Sequence, residues 1–586
     1  MSDLSDIRVN LVETWDEAQA FMSWLGERRP VMAFDLETEG VDWWRHKIRT
    51  AQFGDAMTGW TIPYGRWSGL VEHVVKNYEG EYVAHNGQFD YKFMELDGLQ
   101  MPYERCHDTY IMAHLQDPRR HGGLGLKNLA DKHIHHAASH GEKMLKKHFK
   151  ESGTDWDTVE IDTAAYWAYG ALDTIFTARL YEKMRPAMDT MPDLYALERR
   201  VGIILMRMCM KGMRLDMEYV RNQTKQIQAE RAEIEMKVLS EYGVDKIGSA
   251  MKVAEVLMAD GWVPRVKTAT GKPSLKEEVL VTVDHPLAEM KVRHGKLTKL
   301  VSNYLSTFEE LATPEDRIHC EIKQLGAATG RMSIAKPSLQ NLPAPREGDE
   351  DSVRIRNAII ADEGETLCAV DYSSIELRLA ADHSNSVGLI QAYADGEDMH
   401  QWMASLMFSK PQEEVTKTER STSKAITFGK LFGAGVKKIS QQLGIPIREG
   451  AAFIEAYNQA FPELQTYMAH LAGEGERLAK EHNTQPYVYT EFGRYQPTPH
   501  RTEYRLTNYR TQGTAADLLK MAIVDLDAAG FGPHMLIPVH DEIVASFPSH
   551  EAEEMMHEME RIMAYPDRRV PLPVEGSLGQ RFGECK

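Results

Sequence analysis

An α/β chain of several domains is predicted by three observations. At 586 residues the polypeptide is too long for one hydrophobic core, and length alone sets an expectation of about three or four domains. Residues 1–190 alternate apolar, strand-like runs with helical periodicity, whereas residues 194–474 are dominated by helical patterns. Carboxylates also recur where short apolar runs end, at Asp35, Asp371 and Asp541.

The elements follow in order. Residues 31–34 are a buried-strand run ending in Asp35, and residues 48–53 alternate like its partner strand. Helical spacing marks 88–96, 109–115 and 161–184. From Leu194 long helices are expected, with Ile203, Ile204, Met206 and Met208 in one apolar cluster, and again at 219–242. Gly and Pro break residues 243–286, helix returns at 287–304, and 326–345 read as a loop or short-strand region. Residues 347–351 are a run of acids with one Gly, read as a solvated turn. A strand at 366–370 leads to Asp371, and Ser373-Ser374-Ile375-Glu376 fits a capping box at the start of a helix. Helices then continue to residue 474, and mixed strand and helix complete the chain. Apolar residues flank His540-Asp541-Glu542 as in a hairpin tip, where Pro538 suits an edge or bulged strand.

Composition narrows the class. Hydrophobic content of 42% and aromatic content of 9% are globular values. The five cysteines are scattered without a C-x-x-C pair, which argues against a disulfide framework and a thiolate zinc site. No leader is visible and no apolar run approaches the roughly 18 residues of a membrane span, so a reducing, soluble compartment is expected. The net charge of −19 disfavours indiscriminate adhesion to nucleic acid. Local basic tracks at 143–150, 291–299 and Arg420/Lys424/Lys430 still leave room for a DNA partner. His133, His135, His136 and His140 lack a ligand pattern and read as a solvated, DNA-facing segment.

In Asp35-Leu36-Glu37 the two carboxylates share one face of a strand. Asn86-Gly-Gln-Phe-Asp90 and Tyr169-Gly-Ala-Leu-Asp173 add two more. Four converging acids repel one another unless divalent metal sits between them, and a metal pair can activate water against a phosphodiester. Each element alone is commonplace, but in this order they resemble the Exo I, Exo II and Exo III motifs of the DEDDy 3′→5′ exonucleases. That resemblance implies an RNase H-like domain in which Asp35, Glu37, Asp90 and Asp173 bind metal and Tyr169 orients the attacking water.

Arg420, Lys424, Phe428 and Phe432 recur every four residues, so they lie along one helix face spanning roughly 18 Å. Cations leading that face suit a triphosphate, with Arg as a fork and Lys as a point charge. This helix resembles the O helix of the family A DNA polymerases. The stretch 368–378 resembles their motif A and His540-Asp541-Glu542 their motif C. Thr329-Gly-Arg-Met-Ser333 with Pro337-Ser-Leu-Gln-Asn-Leu-Pro343 resembles their primer–template strip, and Asn508 with Gln512 their minor-groove helix.

The resemblance implies a right-hand polymerase domain at 191–586 after an exonuclease domain at 1–190, with thumb at about 200–305, palm at about 306–390 and 500–586, and fingers at about 391–499. It implies that Asp371, Tyr372 and Asp541 bind metal beside Glu542, and that Lys424 protonates the leaving pyrophosphate. Arg420, Phe428, Phe432, His400, Tyr372 and Glu376 hold the nucleotide, and Arg331, Gln340, Asn341, Asn508, Gln512 and His540 contact DNA. Most relatives carry Tyr at 432, and an Arg at 504 where this chain has Tyr504 followed by Arg505. The activity implied is template-directed DNA synthesis with proofreading. Two Mg²⁺ ions serve each site, with Mn²⁺ as an alternative. Primer–template DNA and dNTPs are the partners, a replicative helicase, primase and single-strand binding protein are accessory candidates, and the chain is a monomer. The chain starts at the exonuclease domain with no 5′-nuclease domain, as expected of a phage replicative enzyme in the host cytoplasm. A dedicated 3′→5′ exonuclease with a DNA-binding C-terminal region is the alternative. A single-subunit RNA polymerase is disfavoured by Glu376 and by the proofreading motifs.

Overall fold

The computed structural model describes residues 6–27, 29–119, 122–268, 270–342, 350–431 and 433–585. Phe432 and residues 347–349 of the acidic run lie outside them. A six-stranded sheet organises the N-terminal part, with strands β1 (Arg8–Leu11), β2 (Val31–Thr38), β3 (Ile48–Gly54), β4 (Thr58–Pro63), β5 (Glu81–Ala84) and β6 (Cys106–Asp108) in the order β1-β4-β3-β2-β5-β6. β2 lies inside the sheet, antiparallel to β3 and parallel to β5. It continues through both acids, pairing Asp35 with Gln52 and Glu37 with Thr50. The strand therefore outlasts its apolar run, because interstrand pairing holds residues that hydrophobicity alone would release. The Ala164–Met188 helix packs across β2, β3 and β4. A Cβ on Gly59 would stand 2.2 Å from the Ala171 carbonyl oxygen, so only glycine permits this approach.

The C-terminal part is built on a four-stranded antiparallel sheet. Its strands, in spatial order, are Met535–Val539, Glu542–Pro548, Glu365–Tyr372 and Val574–Gly579. Pro538 is on the edge strand, where a register shift falls between Met535 and Ile537. The Leu506–Ala528 helix backs this sheet, and Leu518, Ala522 and Ile523 join Leu367, Val370 and Ile543 in its core. Helices Met217–Tyr242 and Pro286–Leu300 pack together. Between them the Gly/Pro-broken stretch holds a further helix, Ala250–Ala259, whose Val253 and Leu257 are buried. The acidic run also differs from a solvated turn: a helix spans Glu350–Arg356, and Asp351 is paired with Arg293 and, at 3.6 Å, with Arg354. Helices Met399–Phe408, Lys417–Leu431, Val436–Leu443, Ile447–Ala460 and Pro462–His482 form a separate bundle around Met403, Ile426 and Tyr457.

The Pro192–Lys211 helix joins the two halves. Met206 enters the aromatic-rich N-terminal core, while Val201, Leu205 and Met208 belong to the core of the C-terminal sheet. On this helix Glu198 is fully buried and accepts from Lys520 Nζ at 2.7 Å, from Arg494 and from Gln324. Arg494 also pairs with Asp517 at 2.6 Å. Burial alone would push the Glu198 carboxyl up, but Lys520 and Arg494 outweigh it and hold it at about 2. Removing one member of such a network strands the others without counter-charge. Glu198→Ala is accordingly expected to lower the unfolding free energy by about 3–5 kcal/mol, read by chemical denaturation. A loss below about 1 kcal/mol, the level of a surface pair, would contradict a structural role for the network.

Candidate active sites

The first site forms on β2. Asp35 and Glu37 share a face, and the Ala164–Met188 helix brings Asp173 against them, so that one ligand atom of each lies within 4.8 Å of the others. Asp90 enters from the first turn of the Gln88–Leu96 helix, and its Oδ1 accepts the Leu36 N–H at 3.0 Å, between the two strand acids. The four motif acids therefore converge, although only three form the tight group. Burial raises Asp35 to about 7, with Lys127 opposing the shift, and raises Glu37 well above its usual value, with Asp35 adding to it. Asp90 is raised by burial and then by Asp35.

Lys127, from the Leu126–His133 helix, pairs with Asp173 and stands 4.3 Å from the Tyr169 ring centroid. Sequence reasoning missed it, because no acid or aromatic motif accompanies it and only the fold carries its helix to β2. An all-carboxylate donor set of this kind fits a hard divalent cation. The histidine segment forms no such group among the described residues; His135 and His136 stack at 4.3 Å, and Asp131 accepts the Ser139 N–H.

The second site lies at the end of the Glu365–Tyr372 strand. Its register sets Asp371 opposite Glu542, and the Tyr372 N–H reaches the Asp541 carbonyl at 3.3 Å. His540 has φ of 57°, the left-handed turn that presents Asp541 beside Asp371. Burial and then Asp541 raise Asp371 to about 6, while burial and then Asp371 raise Glu542 to about 7. Among the described residues Glu542 Oε1 has no hydrogen-bond partner, and none of the described acids joins Asp371 and Asp541 in a tight three-carboxylate group. Their oxygen donors nonetheless suit the same hard cations. The Tyr372 hydroxyl donates to the Met563 carbonyl at 2.6 Å, so its side chain faces the core.

The capping box does not form. The helix starts at Ile375, Ser374 is a left-handed N-cap without a side-chain bond, and the buried Glu376 pairs with Arg331 instead. Arg331 also lies 3.7 Å from Asp541. Gln340 spends its side-chain amide on Met332 and Ile334, and its carbonyl accepts from His540 at 2.8 Å. Asn341 is exposed and donates to Ser338. On the Leu506–Ala528 helix, Asn508 and Gln512 are one turn apart, and Gln512 hydrogen-bonds Glu376.

The Lys417–Leu431 helix carries Arg420, Lys424 and Phe428. Arg420 is held by Asp398 at 2.9 Å, Lys424 is exposed, and Phe428 lies 5.8 Å from the His400 ring. His400 is buried, and burial followed by Lys424 and Arg420 lowers it to about 4, unlike a surface histidine. Tyr504 lies against Gly433, where a Cβ would meet its ring at 2.5 Å, and Arg505 donates to the Tyr504 hydroxyl at 3.3 Å.

Two carboxylate centres on separate sheets, with an Arg/Lys/Phe helix in the C-terminal half, fit a DNA polymerase joined to a 3′→5′ exonuclease. Residues 217–584 match the model of DNA polymerase family A and residues 9–189 that of a 3′-5′ exonuclease, and the chain belongs to DNA polymerase family A. It is 28% identical to the DNA polymerase of Mycobacterium phage D29 over 601 aligned positions, covering 98% of this chain and 96% of that relative. The DNA polymerase of Mycobacterium phage L5 is 29% identical over 598 positions, with the same coverage. The thermostable DNA polymerase I of Thermus aquaticus is 36% identical over 410 positions, 67% of this chain and 48% of that protein. The fold resembles the POL domain of Pol1 from M. smegmatis, solved in complex with DNA primer-template and dNTP, at a TM-score of 0.80 and 23% identity, covering 98% of this chain and all of that one. The enzyme is thus a DNA-directed DNA polymerase with an N-terminal exonuclease, and both of its activities depend on divalent metal. No helix among the described residues is long and apolar enough to cross a membrane.

The raised carboxyls link metal to pH. The unfolded chain releases these protons near pH 4, whereas Asp371, Asp35 and Glu542 retain them to about 6, 7 and 7. Without metal, stability therefore falls as pH rises through that window, and metal, which needs the deprotonated oxygens, restores it. Mg²⁺ is expected to raise the melting temperature by a few degrees at pH 8 and by much less at pH 5.5. Equal shifts in a thermal scan at the two pH values would refute the linkage.

Proposed function

We propose that this chain is the replicative polymerase of a phage, acting in the host cytoplasm as a monomer on primer–template DNA and dNTPs. The exonuclease occupies 1–190 and the polymerase 191–586, with thumb, palm and fingers at about 200–305, 306–390 with 500–586, and 391–499. The observation that carries the reading is the meeting of Asp371, Asp541, Arg331 and Glu376 at one sheet end. Helicase, primase and single-strand binding protein are its accessory partners.

Asp371 and Asp541 would hold two Mg²⁺ ions, with Tyr372 as a further ligand and Glu542 beside them. Bound there, the metal lowers the pKa of the primer 3′-hydroxyl and neutralises the triphosphate. Arg420 and Lys424 clamp the phosphates, and Lys424 returns a proton to the leaving pyrophosphate. Phe428, backed by His400, packs on the incoming sugar, and Phe432 is assigned to the nucleotide by its place in the motif alone. Glu376 rejects a ribose 2′-hydroxyl by occupying its space. Arg331, Gln340, Asn341, Asn508, Gln512 and His540 position the duplex through its backbone and minor groove. Closure of the Lys417–Leu431 helix over a correct pair selects the nucleotide by induced fit. A mispaired end frays and moves to Asp35, Glu37, Asp90 and Asp173, which would hold a second Mg²⁺ pair, with Tyr169 placed to orient the water.

Asp371→Ala is expected to abolish primer extension and spare 3′-end degradation, and Asp35→Ala to do the reverse, as scored on end-labelled primers. Loss of both activities in both folded variants would sink the two-site account and favour a dedicated exonuclease. Phe428→Tyr should raise dideoxynucleotide incorporation relative to deoxynucleotide by at least tenfold, about 1.4 kcal/mol in the transition state. An unchanged ratio would remove Phe428 from the sugar pocket.

A further inference from the structure

Lys127 is the second residue of the Leu126–His133 helix, and its side chain is only 13% exposed. Leu129 and Ala130 of the same helix are fully buried, so the lysine stem starts from a fixed base. Its ammonium pairs with Asp173 and lies 4.3 Å from the Tyr169 ring centroid and 5.7 Å from that of Phe176. An ammonium taken out of water is costly unless it is paired. Among the described residues, Asp173 is the one carboxylate in ion-pair contact with it. The dependence is mutual: Asp173 is buried, and apart from this pair its Oδ1 has no partner among the described residues.

Asp173 belongs to the tight group with Asp35 and Glu37, whose donor atoms lie within 4.8 Å of one another. An ammonium in contact with one member therefore stands at the edge of the space that a shared ion would take. Its charge also acts on Asp35 and Glu37, opposing the burial that disfavours both anions. One positive charge against three acids leaves the centre short of cation, yet a divalent ion entering it meets a like charge at close range. The Asp371 centre differs in this respect. Its cation, Arg331, pairs with Glu376, an acid assigned to the nucleotide, and stays 3.7 Å from Asp541. Lysine suits a contact that has to be given up, because it carries a compact charge on a flexible stem, unlike the rigid fork of a guanidinium. Glu142, on the neighbouring His140–Ser152 helix, and Asp131, on its own helix, are the next acids acting on it.

We propose that Lys127 competes with divalent metal for Asp173: its ammonium is the resident counter-ion of the free exonuclease centre and gives way when metal enters. Lys127 thereby sets the metal concentration at which that centre loads. The inference rests on the metal-binding reading of the Asp35 centre above. It assigns Lys127 no contact with DNA and no part in moving a proton.

The test is Mn²⁺ binding to the full-length enzyme, followed by the paramagnetic resonance signal of the free ion. The component of the isotherm that disappears in Asp35→Ala marks the exonuclease centre. In Lys127→Met, which keeps an unbranched apolar stem, that component should tighten by about tenfold, the order of effect of one unit charge close to a divalent ion even in water. Lys127→Arg, which keeps the charge, should stay close to wild type. The Mg²⁺ concentration for half-maximal excision of a mismatched 3′ end should fall in step with the Mn²⁺ affinity, and extension of a matched primer should not change. Should the Met variant not fold, Lys127→Gln gives the same measurement. Loosened Mn²⁺ binding on loss of the charge, the sign of a side chain that merely supports the acids, overturns the competition, and so does unchanged binding. Absence of any Asp35-dependent component in the wild-type isotherm overturns the metal-binding reading of the centre itself.

Discussion

Crowding of like-charged carboxylates is the constraint around which this molecule is organised. Asp35, Glu37, Asp90 and Asp173 are packed together at one sheet, and Asp371, Asp541 and Glu542 form a second, more open set. Groups that repel separate if the backbone yields, so each must come from an element that cannot. Strand β2 is interior to its sheet, and Asp173 lies on a helix packed across three strands. The Asp371 strand is likewise interior, with partners on both sides. Rigid sheets keep the acids close until divalent charge offsets their repulsion, which is the preorganisation that electrostatic catalysis requires.

A second electrostatic arrangement, with the opposite outcome, ties the halves together. Glu198, Arg494, Asp517 and Lys520 are buried more deeply than Asp371 or Asp541, but each finds an opposite charge. Such a network adds little net stability compared with apolar packing, yet it tolerates only one arrangement of its partners. Its members come from the linking helix, from the residues just before the Tyr495–Pro497 strand, and from the helix that backs the C-terminal sheet. Gly330 packs on Arg494, where a Cβ would lie 2.7 Å from Nε, so the strip bearing Arg331 is seated on the same network. The relation between the exonuclease sheet and the polymerase centre is thereby set by directional contacts as well as by apolar area.

Much of this was legible in the chain. The apolar run at 31–34 and the alternation at 48–53 marked β2 and β3, helical spacing marked the Gln88–Leu96 helix, and the acidic motifs picked out carboxylates that the fold brings near one another. What escaped depends on contacts distant in sequence. Lys127 has no local signature, and its place follows from packing of the Leu126–His133 helix on the Ala164–Met188 helix. The Ser373/Glu376 capping box satisfied its pattern, but Arg331, brought in by another segment, offered Glu376 a charge that a backbone N–H cannot match. The buried Glu198 network was invisible for the same reason: Glu198 and Lys520 are separated by 322 positions.

The Arg331–Glu376 and Lys127–Asp173 pairs express one principle at the two sites. In each, a single cation meets an acid beside the metal-binding group and offsets part of the repulsion while no metal is bound. Neither cation can substitute for metal, because a monovalent head supplies one charge to several acids. Burial also pulls the Lys127 ammonium down to about 8, which shows how little of its desolvation the acids repay. The two pairs thus do the same electrostatic work at sites built on different sheets, each from a cation that a segment distant in sequence brings in.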